Sequence, residues 1–157
     1  MTLRATLATI QRLYVDTAPF IYYTERREGY VETMHTIFLA VAQGQIHVDT
    51  SVITLVETLM KPLQNHDLPL AERYRQMFYR TQHVTLLPLS ASVAERAADL
   101  RARYNLRTPD ALHVATALDA GCDAFLTNDR GIKRVTDIRV LVLDELDRDP
   151  PPGAESA

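Results

Sequence analysis

The chain has 157 residues, a formal net charge of −3 at pH 7, 46% hydrophobic and 24% charged residues. This is enough for one ordinary domain with one core, and the balance excludes wholesale disorder. A single cysteine, Cys122, excludes an internal disulfide framework and any cysteine-built zinc site.

Short apolar runs alternate with longer helical patterns along the chain. Leu13-Tyr14-Val15 reads as a buried strand. Residues 30–43 read as a helix stopped by Gly44. Ile46-His47-Val48 is a second short strand. A helix follows from Ser51 to near Leu63, with Pro62 disturbing its end. Residues 70–82 are helical and 84–87 form a strand. Ser92-Val-Ala-Glu95 has the form of a capping box, opening a helix that ends near Tyr104. Thr108-Pro109-Asp110 opens another, with Thr108 as its cap, and Gly121 closes it. The last strands are 124–127 and 139–143. Strands separated by helices need crossovers, and crossovers give a parallel sheet covered on both faces. The expected fold class is α/β: a three-layer α/β/α sandwich with a mostly parallel sheet of about five strands. Residues 1–148 are expected to form the single domain. The tail 149–157, rich in proline, is expected to lie outside it and to be disordered.

No apolar run reaches the ~18 residues that a membrane helix needs. The N-terminus lacks the apolar stretch and cleavage site of a signal peptide, so a reduced, cytoplasmic protein is expected. Charge is unevenly spread. Residues 73–107 hold seven arginines against Glu95 and Asp99, while residues 137–157 hold six acids against Arg139 and Arg148. A local basic face would arise if those arginines converge, although a solvated helix surface explains the count as well.

In an open parallel sheet, ligands sit beyond the carboxyl ends of the strands. Asp16, Asp49, Asp129 and Asp144 stand at such ends. Capping explains any one of them, and Asp49-Thr50-Ser51 has that look. Ile53, Val56, Glu57 and Met60 share one helix face, so Glu57 is expected to be partly buried among apolar neighbours. Buried carboxylates are rare unless paired or bound to a cation. Asp110 lies in a first helical turn, beside an apolar stripe at Ala111, Val114, Ala115 and Leu118. If Asp16, Glu57, Asp110 and Asp129 converge, they repel. At about 4 Å two unit charges cost roughly 4 kcal/mol at an effective dielectric near 20. Protonation or a divalent cation would relieve that, and oxygen-only ligands suit Mg2+ (or Mn2+).

Val15-Asp16-Thr17, Ser51-Val-Ile-Thr-Leu-Val-Glu57, Thr108-Pro109-Asp110-Ala111-Leu112-His113-Val114-Ala115-Thr116-Ala117 and Phe125-Leu126-Thr127-Asn128-Asp129 together resemble the signature segments of the PIN domain. Order and spacing match over residues 12–145, and the size is similar to that of VapC-type toxins. The resemblance implies a metal-dependent endoribonuclease with Asp16, Glu57, Asp110 and Asp129 as its catalytic and metal-binding acids. Thr17 and Thr127 would shape the site, and Asn128 would orient Asp129 or make a turn. It further implies an RNA substrate, a small antitoxin that blocks the site, and a homodimer. Arg107 and Arg130 stand nearest in sequence to these acids and are candidates for RNA phosphate contacts. Tyr22, Tyr23 and Tyr104 are candidates for base stacking, with packing as the ordinary alternative.

The five histidines form no HxH or HExxH pair. His113 stands three residues after Asp110, within reach of the site, and a packing or supporting role is expected of it. The absence of a His pair disfavours a metal-independent ribonuclease. A phosphotransferase of the haloacid-dehalogenase type wants a second aspartate where Ala18 stands. Nucleotide-binding glycine loops are missing. The remaining alternative is a catalytically inactive PIN-like module that binds RNA or protein.

Overall fold

The computed structural model describes residues 2–146, so the expected tail and the domain limit at 148 lie outside the described residues. Five strands form one parallel sheet: β1 (Arg12–Val15), β2 (His47–Ser51), β3 (Val84–Leu87), β4 (Ala124–Thr127) and β5 (Arg139–Val142). Their order is β3-β2-β1-β4-β5. The chain steps outward from β1 to β3, then crosses back to lay β4 on the other side of β1. The topological switch point therefore falls between the carboxyl ends of β1 and β4, where such sheets bind ligands.

Period-two alternation builds the layers. In β1, Leu13 and Val15 join one core cluster while Tyr14 joins the other; in β4, Ala124 and Leu126 separate from Phe125 in the same way. The first cluster is closed by α1 (Leu3–Leu7), α2 (Thr17–Thr24), α3 (Val31–Ala42) and α5 (Leu68–Arg80), through residues such as Phe20, Ile37 and Tyr74. The second is closed by α6 (Ala91–Tyr104) and α7 (Thr108–Asp119), through Val93, Leu100, Val114 and Ala115. The expected α/β/α sandwich is thus the fold. No described helix is long and apolar enough to cross a membrane.

Several local details differ from the expectations. The cap of α6 is Ser90, whose hydroxyl accepts the Val93 N–H at 3.1 Å; Ser92 already lies inside the helix. The cap of α7 is Arg107, and Thr108 is its first residue. Helices α1 and α2 were not expected at all. Asp49 is no cap: it sits within β2, fully buried, and takes two hydrogen bonds from the Arg12 guanidinium and one from the Cys122 thiol. Ser51 caps α4 (Val52–Gln64) instead, accepting the Ile53 N–H at 3.1 Å. The buried face of α4 carries Thr54, Thr58 and Pro62, whereas Val56 and Met60 are exposed. Glu57 therefore does not sit in a buried apolar stripe. It lies at the rim between the buried threonines and solvent, its side chain 41% exposed.

Candidate active site

Asp16 is the residue after β1 and the cap of α2. A strand that ends on an aspartate can turn straight into a helix, because the carboxylate satisfies a free N–H of the first turn. Its Oδ1 accepts the Thr17 N–H at 2.8 Å, and its Oδ2 accepts the Thr127 hydroxyl at 2.8 Å. Asp16 is nearly buried, and burial raises its pKa above the carboxylate norm. The His113 charge and the two hydrogen bonds oppose that shift, while the Asp110 charge adds to it.

The switch point brings the other acids alongside. Glu57 reaches in from α4, one turn after Thr54. Its Oε1 accepts the Thr17 hydroxyl at 3.1 Å and lies 2.9 Å from His113 Nε2. The His113 hydrogen bond holds the Glu57 pKa low, against the effect of partial burial. Asp110, in the first turn of α7, accepts from Arg107 Nε through Oδ2 at 3.1 Å. Asp129 follows β4 and caps a short 3-10 turn (Arg130–Arg134), accepting the Gly131 N–H at 2.8 Å. Its own N–H donates to the Thr127 hydroxyl at 3.0 Å, so Thr127 ties Asp16 to Asp129. Asp16, Glu57, Asp110 and Asp129 all line one open pocket of about 270 Å³, with Thr17, Arg107, His113, Thr127 and Asn128.

The sequence pointed to His113 beside the acids but not to its partner Tyr14. Tyr14 Oη lies 2.7 Å from His113 Nδ1 beneath the pocket, so His113 joins a buried tyrosine to Glu57. Burial lowers the His113 pKa, but the Glu57 hydrogen bond and the charges of Asp16, Glu57 and Asp110 outweigh it, and the net shift is upward. Burial also drives the Tyr14 hydroxyl far above its usual pKa, keeping it neutral. The only signal in the sequence was a polar tip at the centre of each of two apolar segments, which is commonplace.

Asn128 does not touch Asp129. Its side chain donates to Tyr22 Oη and Tyr30 Oη, both at 3.3 Å, and accepts the Asp144 N–H at 3.1 Å. Tyr22 stacks on Tyr30 at 4.2 Å, Tyr23 packs on Phe38 at 4.4 Å, and Tyr104 donates to Asp137. Arg130 faces Glu145 at 3.8 Å and is not among the pocket's lining residues. The arginines of 73–107 do not converge. Arg73 and Arg80 line a groove with Arg26 and His35, Arg103 is paired with Asp99 and Asp137, and Arg107 stands at the acidic pocket.

The donor set is oxygen-rich and suits a hard divalent cation. Asp16 is nearly buried, and burial first, then the Asp110 charge, disfavours its ionised form. Among the described residues, however, no three His, Cys, Asp or Glu side chains stand as a finished ligand group. Glu57 and Asp110 lean instead on His113 and Arg107. The chemistry of the donors fits such an ion, and ligation requires those side chains to turn inward.

The switch point of an open α/β/α sheet thus gathers four acids in one pocket. The PIN domain family profile matches residues 13–138, and the chain belongs to that family. No curated protein sequence matches it significantly. Solved structures share its fold. VapBC2 from Rickettsia felis, bound to a DNA fragment from its promoter, aligns with a TM-score of 0.70 and 14% identity, covering 84% of this chain and 98% of that one. A toxin-antitoxin complex from Klebsiella pneumoniae aligns at 0.64 and 22% identity, covering 83% and 97%. The sarcin-ricin-loop-cleaving toxin VapC20 from Mycobacterium tuberculosis aligns at 0.63 and 17% identity, covering 81% and 98%. At these identities the likeness is one of fold.

Proposed function

We propose that the chain is a Mg2+- or Mn2+-dependent endoribonuclease, acting as the toxin of a toxin–antitoxin pair. One observation carries this reading: the nearly buried Asp16 shares one pocket with Glu57, Asp110 and Asp129. Membership of the PIN family and the fold shared with VapBC proteins support it.

Asp16, Asp110 and Asp129, with Glu57 beside them, would hold the ion. When bound, the ion lowers the pKa of a water and neutralises charge gathering on the phosphate. The chain's own groups do the rest. Thr127 fixes Asp16 and Asp129 relative to each other, and the Thr17 hydroxyl holds Glu57. Arg107, 78% exposed at the mouth, swings from Asp110 to a substrate phosphate. Attack by water in line breaks the P–O3′ bond, leaving a 5′-phosphate and a 3′-hydroxyl. His113 is no general base here: its Nε2 faces Glu57 and its Nδ1 faces Tyr14. A small antitoxin protein would cover the pocket, and the exposed apolar residues Val56, Met60 and Leu63 of α4 offer surface for a second copy. The protein would work in the cytoplasm, where its RNA is.

An inactive binding module is the second reading. It is favoured by the ion pairs of Glu57 and Asp110, which leave two of the four acids already partnered. Incubation of end-labelled RNA with Mn2+ or with EDTA separates the two. Cleavage with Mn2+, lost in EDTA and in Asp110→Asn, supports the nuclease; intact RNA under every condition, with RNA still bound, supports the module.

A further inference from the structure

A groove of about 920 Å³ lies outside the acidic pocket, between the end of α2, the first turns of α3 and the second half of α5. Three arginines line it: Arg26 just past α2, and Arg73 and Arg80 on α5. Arg73, Met77 and Arg80 follow the i, i+4, i+7 spacing of one helix face. The two α5 arginines therefore turn to the same side, roughly 10 Å apart along the axis. All three arginines are exposed, and none is in an ion pair among the described residues. Arg75, on another face of α5, is the one that faces Glu72. Glu32 is the acid in the lining, while Glu25 accepts from Tyr74 Oη instead. The groove is thus basic in a chain that is net acidic.

Two further features point to a ligand. Thr24, in the groove wall, has a hydroxyl shut off from solvent with no hydrogen-bond partner among the described residues. Buried polar groups are ordinarily paired, and this one lacks the acceptor that a phosphate oxygen would supply. Arg26 has a φ of 52°, in the left-handed region just past a helix end, where glycine is the residue without strain. An arginine is held there at a cost to the backbone.

Helix α2 joins the groove to the acidic pocket. Ala18, Ile21 and Tyr22 line the pocket, whereas Tyr23 and Thr24 line the groove. The eight residues of α2 span about 12 Å. Tyr22 also stacks on Tyr30, whose neighbour Val31 is again in the groove lining. Guanidinium groups and tyrosine rings along one track are the make-up of surfaces that bind single-stranded nucleic acid.

We propose that this groove binds backbone phosphates of a single-stranded RNA whose scissile bond enters the acidic pocket, with Arg26, Arg73 and Arg80 as the phosphate contacts. Groove and pocket then serve one strand, so the assignment rests on the ribonuclease reading above. The groove grips the polyanion away from the carboxylates that repel it, and α2 leads the strand to the pocket.

Labelled single-stranded RNA, followed by fluorescence anisotropy across a salt series in EDTA, tests this apart from cleavage. On a single strand each phosphate contact contributes about 0.7 to the slope of log K against log salt. Arg73→Ala/Arg80→Ala is expected to lower that slope by about 1.4 and to weaken binding about 10-fold or more at low salt. Arg26→Gly is expected to lower the slope too, while melting no lower than the parent because the backbone is relieved. Arg96→Ala removes an exposed arginine from α6, in the opposite layer, and is expected to leave the slope unchanged. An unchanged slope in either groove variant, an equal loss in Arg96→Ala, or a parent that binds no RNA overturns the assignment. So does polyglutamate that binds the parent more tightly than RNA and loses that binding in the double variant, since the occupant would then be an acidic protein segment. Cleavage in Mn2+ is read separately. The double variant should raise KM for long RNA and keep kcat, and an unchanged KM overturns the assignment. A parent with the groove-dependent slope that cuts nothing removes the ribonuclease reading and supports the groove as an RNA site.

Discussion

Asp16 does three things with one carboxylate. It ends β1, caps α2, and brings a charge to the switch point. The third task conflicts with stability, because burial raises its pKa. A carboxyl that is harder to ionise in the fold than in the unfolded chain stabilises in acid. That contribution fades as pH rises from the ordinary value of 3.8 through the folded value. Asn caps as well as Asp. Asp16→Asn is therefore expected to melt no lower than the parent at pH 7 without metal, yet to lose RNA cleavage by roughly 100-fold or more. A variant that unfolds well below its parent would reassign Asp16 as a structural residue. His113 has the opposite charge and the same sign of shift. Its pKa is raised above 6.5, so its pairing with Glu57 is fully present below 6.5 and is lost as pH climbs through the folded value. The metal-free melting temperature should fall over that window. Glu57→Gln should flatten the fall; an unchanged pH profile in that variant would mean that the pair contributes nothing to folding.

At the scale of elements, the sheet is locked from below by a contact with no part in the pocket. Arg12, at the start of β1, clamps the buried Asp49 of β2. Arg12 is 42% exposed, so water screens part of the attraction. Arg12→Ala leaves Asp49 buried without its cation and is expected to cost about 3 kcal/mol, the low end for a broken buried pair. Urea denaturation would register it as a lower midpoint at unchanged slope. Adding Asp49→Asn should recover part of the loss; no recovery would mean that the guanidinium acts through packing alone. This pair also marks where sequence reading stops. The strands and long helices were legible because their apolar periods are strong, and alternation in β1 and β4 sorted the two cores. Asp16, Asp110 and Asp129 were legible as candidates because each stands beside a strand end or in a first helical turn. Asp49 carries the same mark at a strand's end, yet lies inside β2, since the ladder continues through Thr50 and Ser51. Period also misjudged α4. Its apolar stripe faces outward and its threonines face the core, and spacing alone does not say which stripe is buried. Helix α2 was invisible because eight residues starting Thr-Ala-Pro show no amphipathic stripe.

For the molecule as a whole, charge sets the terms of any contact with RNA. The chain is net acidic, and its pocket gathers four carboxylates against Arg107 and His113. A polyanion entering there meets like charge unless a cation intervenes, so under the proposed function ion binding and substrate binding would be coupled through the same oxygens. Binding of the proposed ion would also have a folding consequence that needs no substrate. A ligand that binds only the native state stabilises it by RT ln(1 + [L]/Kd), about 2.7 kcal/mol at 100 times Kd. In a domain of this size, that is a rise of roughly 5–11 °C in melting temperature. Mn2+ should therefore raise the melting temperature in steps that follow the logarithm of its concentration, and EDTA should reverse the rise. Asp16→Asn, with one pocket charge removed, should show a much smaller shift over the same series. Equal shifts in parent and variant would locate the ion elsewhere on the surface. A parent that melts at one temperature from zero to millimolar Mn2+ would mean that the folded chain offers no divalent site.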